Sequence, residues 1–197
     1  MKFMEYSVCI QELLEEQAGY GFVEDGFALK YGHIPHIAPM AYNIILFRPL
    51  EEKQIAILEE KLKKELPKPY RSFLTSISNG MHLFHRCLHL YGLQGDIINR
   101  EKGSQMPFDL SDSNVYERPT NADASCFFIG GYSYDGSELY MRDGSQKVFY
   151  CQRWDITPLK EWSNFETMLV EEIQRLRSIH SNCGILQVDR EKTLPID

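Results

Sequence analysis

The sequence predicts an α+β domain, a twisted, mainly antiparallel sheet with helices packed against it. Three observations predict it. Apolar residues recur at helical spacing in residues 51–65, 67–80 and 163–176. Between the second and third of these runs, short apolar stretches alternate with turn signals, the clearest being Asp135-Gly136 and Asp143-Gly144. The order is helices, then strands, then a closing helix, which suits an α+β unit.

Each element has its own reason. Residues 6–17 place Cys9, Ile10, Leu13 and Leu14 on one side of a helix, and Gly19 stops it. Gly21, Gly26, Gly32, Pro35 and Pro39 then break the chain into turns and short strands, of which Ile44-Ile45-Leu46-Phe47 reads as buried. Residues 1–49 are thus expected to be a helix and irregular addition packed on the core. Residues 51–65 carry Ile55, Leu58 and Leu62 on one face and Glu and Lys elsewhere, with Pro49-Leu50 where a Ser or Thr cap would stand. Pro67 and Pro69 suit the start of a second helix, where a missing N–H costs nothing. Its apolar face is Tyr70, Phe73, Leu74 and Ile77, and Asn79-Gly80 ends it.

Residues 83–91 read as one or two short strands, and the polar residues 94–121, with Gly103, Pro107 and Pro119, as a long loop. A meander follows: Cys126-Phe127-Phe128-Ile129, then residues 137–142 with Leu139 and Met141 on one face, then residues 147–151. The sheet is therefore expected over residues 83–151. Ser163-x-x-Glu166 has the form of a capping box, ahead of a core face of Phe165, Met168, Leu169, Ile173 and Leu176. The domain is expected over residues 50–180, and residues 181–197 as a loose tail.

Composition narrows the function classes. The net charge of −7 argues against binding a phosphate backbone and suits a basic partner. Five cysteines without a Cys-x-x-Cys pair read as buried free thiols of a reducing compartment. Glu5, Glu12, Glu15 and Glu16 carry the wrong charge for a signal peptide. No apolar run approaches the roughly 20 residues of a membrane span. A cytoplasmic location and no membrane partner are expected.

Little points to catalysis. The nucleophile elbow, the dinucleotide fingerprint and the P-loop are all missing. His82, His85 and His89 gather around Cys87; on one strand, His85, Cys87 and His89 would share a face. They form an alternative metal set, although neighbours two apart are an unusual spacing for structural zinc. No cofactor is implied. Glu171 and Glu172 read as a solvated helix face. Tyr132, Tyr134, Tyr140, Phe149 and Tyr150 mix with acidic residues and few basic ones, a composition closer to a protein interface than to a nucleic-acid platform. The residues expected to bind a partner are Tyr132, Asp135, Glu138, Tyr140, Arg142 and Asp143, with the loop at 94–121 beside them.

Taken in order, Leu66-Pro67, Tyr70, Phe73-Leu74, Asn79-Gly80, Leu90-Tyr91-Gly92, Phe128-Ile129-Gly130, Asp135-Gly136-Ser137 and Trp162 to Phe165 form a pattern. It resembles the signature of the SUKH superfamily, which includes fungal cell-wall assembly regulators and many bacterial immunity proteins. The likeness runs over residues 50–176. It departs at Met81, where the family often carries another glycine. The resemblance implies the same α+β fold and a non-catalytic protein-binding role. It points first to an immunity protein that neutralises a cognate toxin, often a nuclease, by direct binding. The alternatives are a regulatory or scaffold module binding endogenous proteins, and, with less support, a small metal-dependent enzyme built on the histidine cluster.

Overall fold

The computed structural model describes residues 5–94 and 106–196. One sheet of nine strands dominates them, in sequence order across its whole width, with every neighbouring pair antiparallel. The strands are β1 (Phe22–Glu24), β2 (Ala28–His33), β3 (Tyr42–Phe47), β4 (Met81–Leu83), β5 (Leu88–Leu90), β6 (Cys126–Tyr132), β7 (Glu138–Arg142), β8 (Val148–Gln152) and β9 (Asp155–Trp162). The helices are α1 (Glu5–Ala18), α2 (Glu52–Leu62), α3 (Lys68–Ser76) and α4 (Phe165–Ile179). The α+β architecture is as expected, but the sheet is wider than residues 83–151. The broken stretch after Gly19 supplies three strands of this sheet in place of an irregular addition. Its short alternating segments, cut by glycine, carried too few residues each to show a period.

Helices α1, α3 and α4 cover one face of the sheet. Tyr6, Tyr70, Phe73 and Phe165 pack ring against ring at centroid distances of 5.5–6.4 Å between them. The Pro67-to-Gly80 stretch is the joint that holds this face. Tyr70 is fully buried, and its hydroxyl donates to the Ile129 carbonyl at 2.8 Å and lies against that of Tyr91. Asn79 binds the backbone of Leu93 in both directions, at 2.7 and 2.9 Å. Gly80 has φ +77°, and a side chain there would run into the Leu90 carbonyl and Pro107.

Two helix starts differ in detail from the sequence reading. Gln54 accepts the Glu51 N–H at 2.9 Å, so α2 has half of a capping box without any Ser or Thr. For α4 the cap is Asn164, which accepts from the Thr167 N–H at 2.8 Å, and not Ser163. The C-terminal residues are not loose. A 3₁₀ turn at Arg190–Thr193 docks back: Leu194 is buried, and Arg175 donates to the carbonyls of Lys192 and Thr193. Glu172, read as solvated, is fully buried beneath α4.

The second face is covered over β5 to β9 by residues 106–124, which contain a π-helical turn at Asp112–Tyr116. Asn114 shows why the segment sits there. Strand β5 ends opposite Gly130, which leaves Phe128 without a strand partner on that side. Asn114 replaces the missing strand, accepting the Phe128 N–H at 2.9 Å and donating to its carbonyl at 2.8 Å. Further on, Arg118 lies over the Phe128 ring and Asn121 accepts the Ile156 N–H. Lys61 of α2 pairs with Asp109 at 3.1 Å. The part of the predicted loop at 95–105 lies outside the described residues.

A candidate partner-binding cleft

The covering segment leaves a cleft of about 270 Å³ beside it, lined among others by His89, Tyr91, Phe108, Asp112, Glu117, Glu138 and Arg153. A register shift builds the floor. Between Phe128 and Gly130, β6 carries a bulge, so Phe128 and Gly131 pair with Tyr140 and Glu138 on the cleft face, while Tyr132 turns to the helix face. Strict alternation would put Phe128 and Tyr132 on the same side. Gly131 is needed as glycine, because a Cβ would lie 2.4 Å from the Ser137 carbonyl and 3.3 Å from the Tyr91 hydroxyl. Tyr91 can therefore lie low over the strand and reach Glu138.

Glu138 is 6% exposed. Its Oε1 accepts from the Ser113 hydroxyl and from the Tyr91 hydroxyl at 3.3 Å, while Oε2 is buried without a hydrogen-bond partner among the described residues. Burial raises this carboxyl to about 7, against the pull of Ser113, Tyr91 and Arg153. Asp112 is also raised, by burial and by the nearby charges of Asp109 and Glu117. Arg153 is taken up by Glu117 at 2.7 Å. His89 is pushed down to about 4 by burial, so it is neutral near pH 7. The lining thus holds Asp112, Glu117 and Glu138 against the single guanidinium of Arg153.

Exposed aromatic residues lie in this cleft or next in sequence to its lining. Phe108 lines it; Tyr116, Tyr134 and Trp154 each follow or precede a lining residue in the chain, and all are exposed. Arg153 stacks on Trp154 at 4.7 Å and Arg86 lies 5.8 Å from the Phe108 ring.

The residues expected to meet a partner are distributed unevenly. Tyr132 and Tyr140 are fully buried: Tyr132 donates to Glu172 at 2.9 Å beneath α4, and Tyr140 donates to the Ile156 carbonyl at 2.8 Å under the covering segment. Neither ring is exposed to solvent, although Tyr132 also counts among the residues lining the cleft. Glu138 lies on the cleft floor. Asp135 is exposed, accepting the Ser137 N–H in its turn. Arg142 and Asp143 sit at the far hairpin and are engaged by Asp123 at 3.3 Å and Lys64 at 3.1 Å. Sequence reasoning pointed to the loop at 94–121 without naming its Phe108 and Tyr116, and it missed Trp154. The Trp154 signal was present: a tryptophan between Arg153 and Asp155, at the tip of a hairpin, is rarely core.

The metal set is not assembled as read. His85 and Cys87 lie in a turn between β4 and β5, where Phe84, His85 and Arg86 all have positive φ, so only His89 of the three is on a strand. His85 is exposed, and the Cys87 thiol faces His180 at 3.7 Å and is pushed up to about 11 by burial. Among the described residues, no group of three or more His, Cys, Asp and Glu side chains is placed to share an ion. All five cysteines are free; Cys126 and Cys151 are buried, and Cys183 is exposed, unlike the reading of the set as buried. No helix is long and apolar enough to cross a membrane, among the described residues.

Comparison with known families gives one match. The model of the SMI1 / KNR4 family (SUKH-1) matches residues 49–171, more than half of the chain, from the entry to α2 through the first turns of α4. No curated protein matches the chain.

Proposed function

Because the chain belongs to the SMI1 / KNR4 family (SUKH-1), we propose that it is a non-catalytic protein-binding domain that neutralises a cognate toxin by direct docking on this cleft. One observation supports the docking face: Phe108 and the Arg153-stacked Trp154 are exposed at a cleft that holds Asp112, Glu117 and Glu138, and Tyr116 and Tyr134 are exposed next in sequence to its lining. Aromatic side chains anchor interfaces at low entropic cost. Carboxylates speed the approach of a basic partner and select its orientation. A nuclease toxin fits this chemistry, because its own groove must be basic to hold a phosphate backbone. Occlusion of such a groove is stoichiometric and asks for no reaction from the cleft.

The test is to mix the purified chain with the toxin domains encoded beside its gene. Size-exclusion chromatography should show a 1:1 complex, and co-expression should protect cells from that toxin. Trp154→Ala and Tyr134→Ala should each weaken the complex, by about tenfold or more where the ring is an anchor. If no neighbouring toxin binds and none is neutralised, the immunity role fails. The family membership then leaves the regulatory or scaffold module that binds an endogenous protein.

A further inference from the structure

We infer that the space above Glu138 is a socket for one cationic side chain, a lysine or arginine, of the protein that docks on this face. The inference rests on the protein-binding reading and goes further, to a residue type and its receptor. Buried polar atoms are almost always satisfied. Glu138 is one of the exceptions and the one that lines the cleft with a carboxylate: it is 94% buried, since only 6% is exposed, and its Oε2 has no partner among the described residues. Its other oxygen is fixed by Ser113 and Tyr91, which aims the carboxylate rather than neutralising it.

The surrounding charge selects a cation over a neutral donor. The groups around Glu138 are His89 of β5 and Tyr91 just after it, Asp112 and Glu117 from the covering segment, Arg153 from the β8–β9 turn, and Cys151 across the strand pair. His89 and Tyr91 are neutral at pH 7, the first lowered and the second raised mainly by burial. Burial also holds the Cys151 thiol up at about 12. Arg153 is committed to Glu117, and Asp112 has no ion pair among the described residues. Glu138 keeps one buried oxygen without a donor among the described residues, and the exposed Asp112 is opposed only by the nearby charge of Lys61, so a cation entering the cleft meets a carboxylate on its floor and another at its rim. The Phe108 ring at the edge already carries the Arg86 guanidinium at 5.8 Å, so a ring of this cleft stacks with a cation.

A proton competes with the cation for Glu138, because this carboxyl holds its proton to about 7. Affinity should therefore rise from pH 6 to pH 8, with proton release on binding at the lower pH. The experiment titrates the full chain with N-acetyl-arginine methylamide, N-acetyl-lysine methylamide and the neutral N-acetyl-norleucine methylamide, followed by amide NMR shifts. Saturable shifts at Ser113, Gly136, Ser137 and Glu138 are expected with one or both cations and not with norleucine. Glu138→Gln should weaken the response about tenfold, as loss of a charge-assisted hydrogen bond does, and should remove its pH dependence. Asp112→Asn, further from the floor, should weaken it less. Thermal melts establish that both variants are folded. Equal shifts with norleucine, or an unchanged response in Glu138→Gln, would overturn the socket. A partner that binds Glu138→Gln as well as the parent would also sink it while sparing the docking face. A cation response without any protein partner would have the reverse meaning.

Discussion

Glu172 and Glu138 are both buried carboxylates, one on each face of the same sheet, and their surroundings differ. Glu172 lies beneath α4 with Arg175 at 2.6 Å, Lys160 at 3.9 Å and the Tyr132 hydroxyl at 2.9 Å. Every oxygen there is taken, and the pair ties α4 to β6, β9 and the C-terminal turn. Glu138 has hydroxyl donors on one oxygen and, among the described residues, none on the other. The helix face is closed chemistry and the cleft face is open chemistry. A buried charge with a full set of partners ties elements together; one with an empty position holds its proton to higher pH, as Glu138 does to about 7.

The largest expected effect is on the closed side. Glu172→Ala leaves Arg175 and Lys160 without their acceptor and should destabilise the chain by about 3–5 kcal/mol in urea titration. A loss below about 1 kcal/mol would show that the network is solvated and would erase the contrast. Glu138→Gln should act in the opposite direction at alkaline pH. The folded chain holds the Glu138 proton to about 7, whereas the unfolded chain releases it near 4.5. The folded state binds more protons between these values, so stability falls as pH rises through that window, by up to about 3 kcal/mol. The variant should lack this decline and exceed its parent at pH 8. Parallel stability curves from pH 4.5 to 8 would place Glu138 with ordinary surface carboxylates. The smallest effect belongs to the segment that makes the cleft. Asn114→Ala strips Phe128 of its N–H and carbonyl partners and should cost about 1–3 kcal/mol. Hydrogen exchange should show the loss confined to residues 106–124 and the middle of β6.

Much of the frame could be read in the sequence. Residues 66–80 announced a helix through Pro67 and Pro69, and Tyr70, Phe73 and Leu74 are indeed fully buried. Both Asp-Gly pairs are hairpin turns, with Gly136 and Gly144 at positive φ. These features depend on neighbours a few residues away, so local chemistry specifies them. The cleft was less legible. Glu138, Tyr140 and Arg142 do share a strand face, but nothing local shows that a segment beginning some thirty residues earlier covers it. The β6 bulge sends Tyr132 away from that face, and a single extra residue has no period to reveal it.

The sequence by itself determined the α+β class, the presence of the helices, the tight turns and the family, because each follows from spacing and backbone propensity along short runs. Only the tertiary structure decided that residues 22–47 extend the same sheet and that Tyr132 and Tyr140 are core. It also decided that Phe108 and Arg153, with Trp154 stacked on it, share one cleft with Glu138 at its floor. The reason is burial: whether a side chain meets water, and whether a carboxylate finds its donors, depends on chain brought in from far away in sequence.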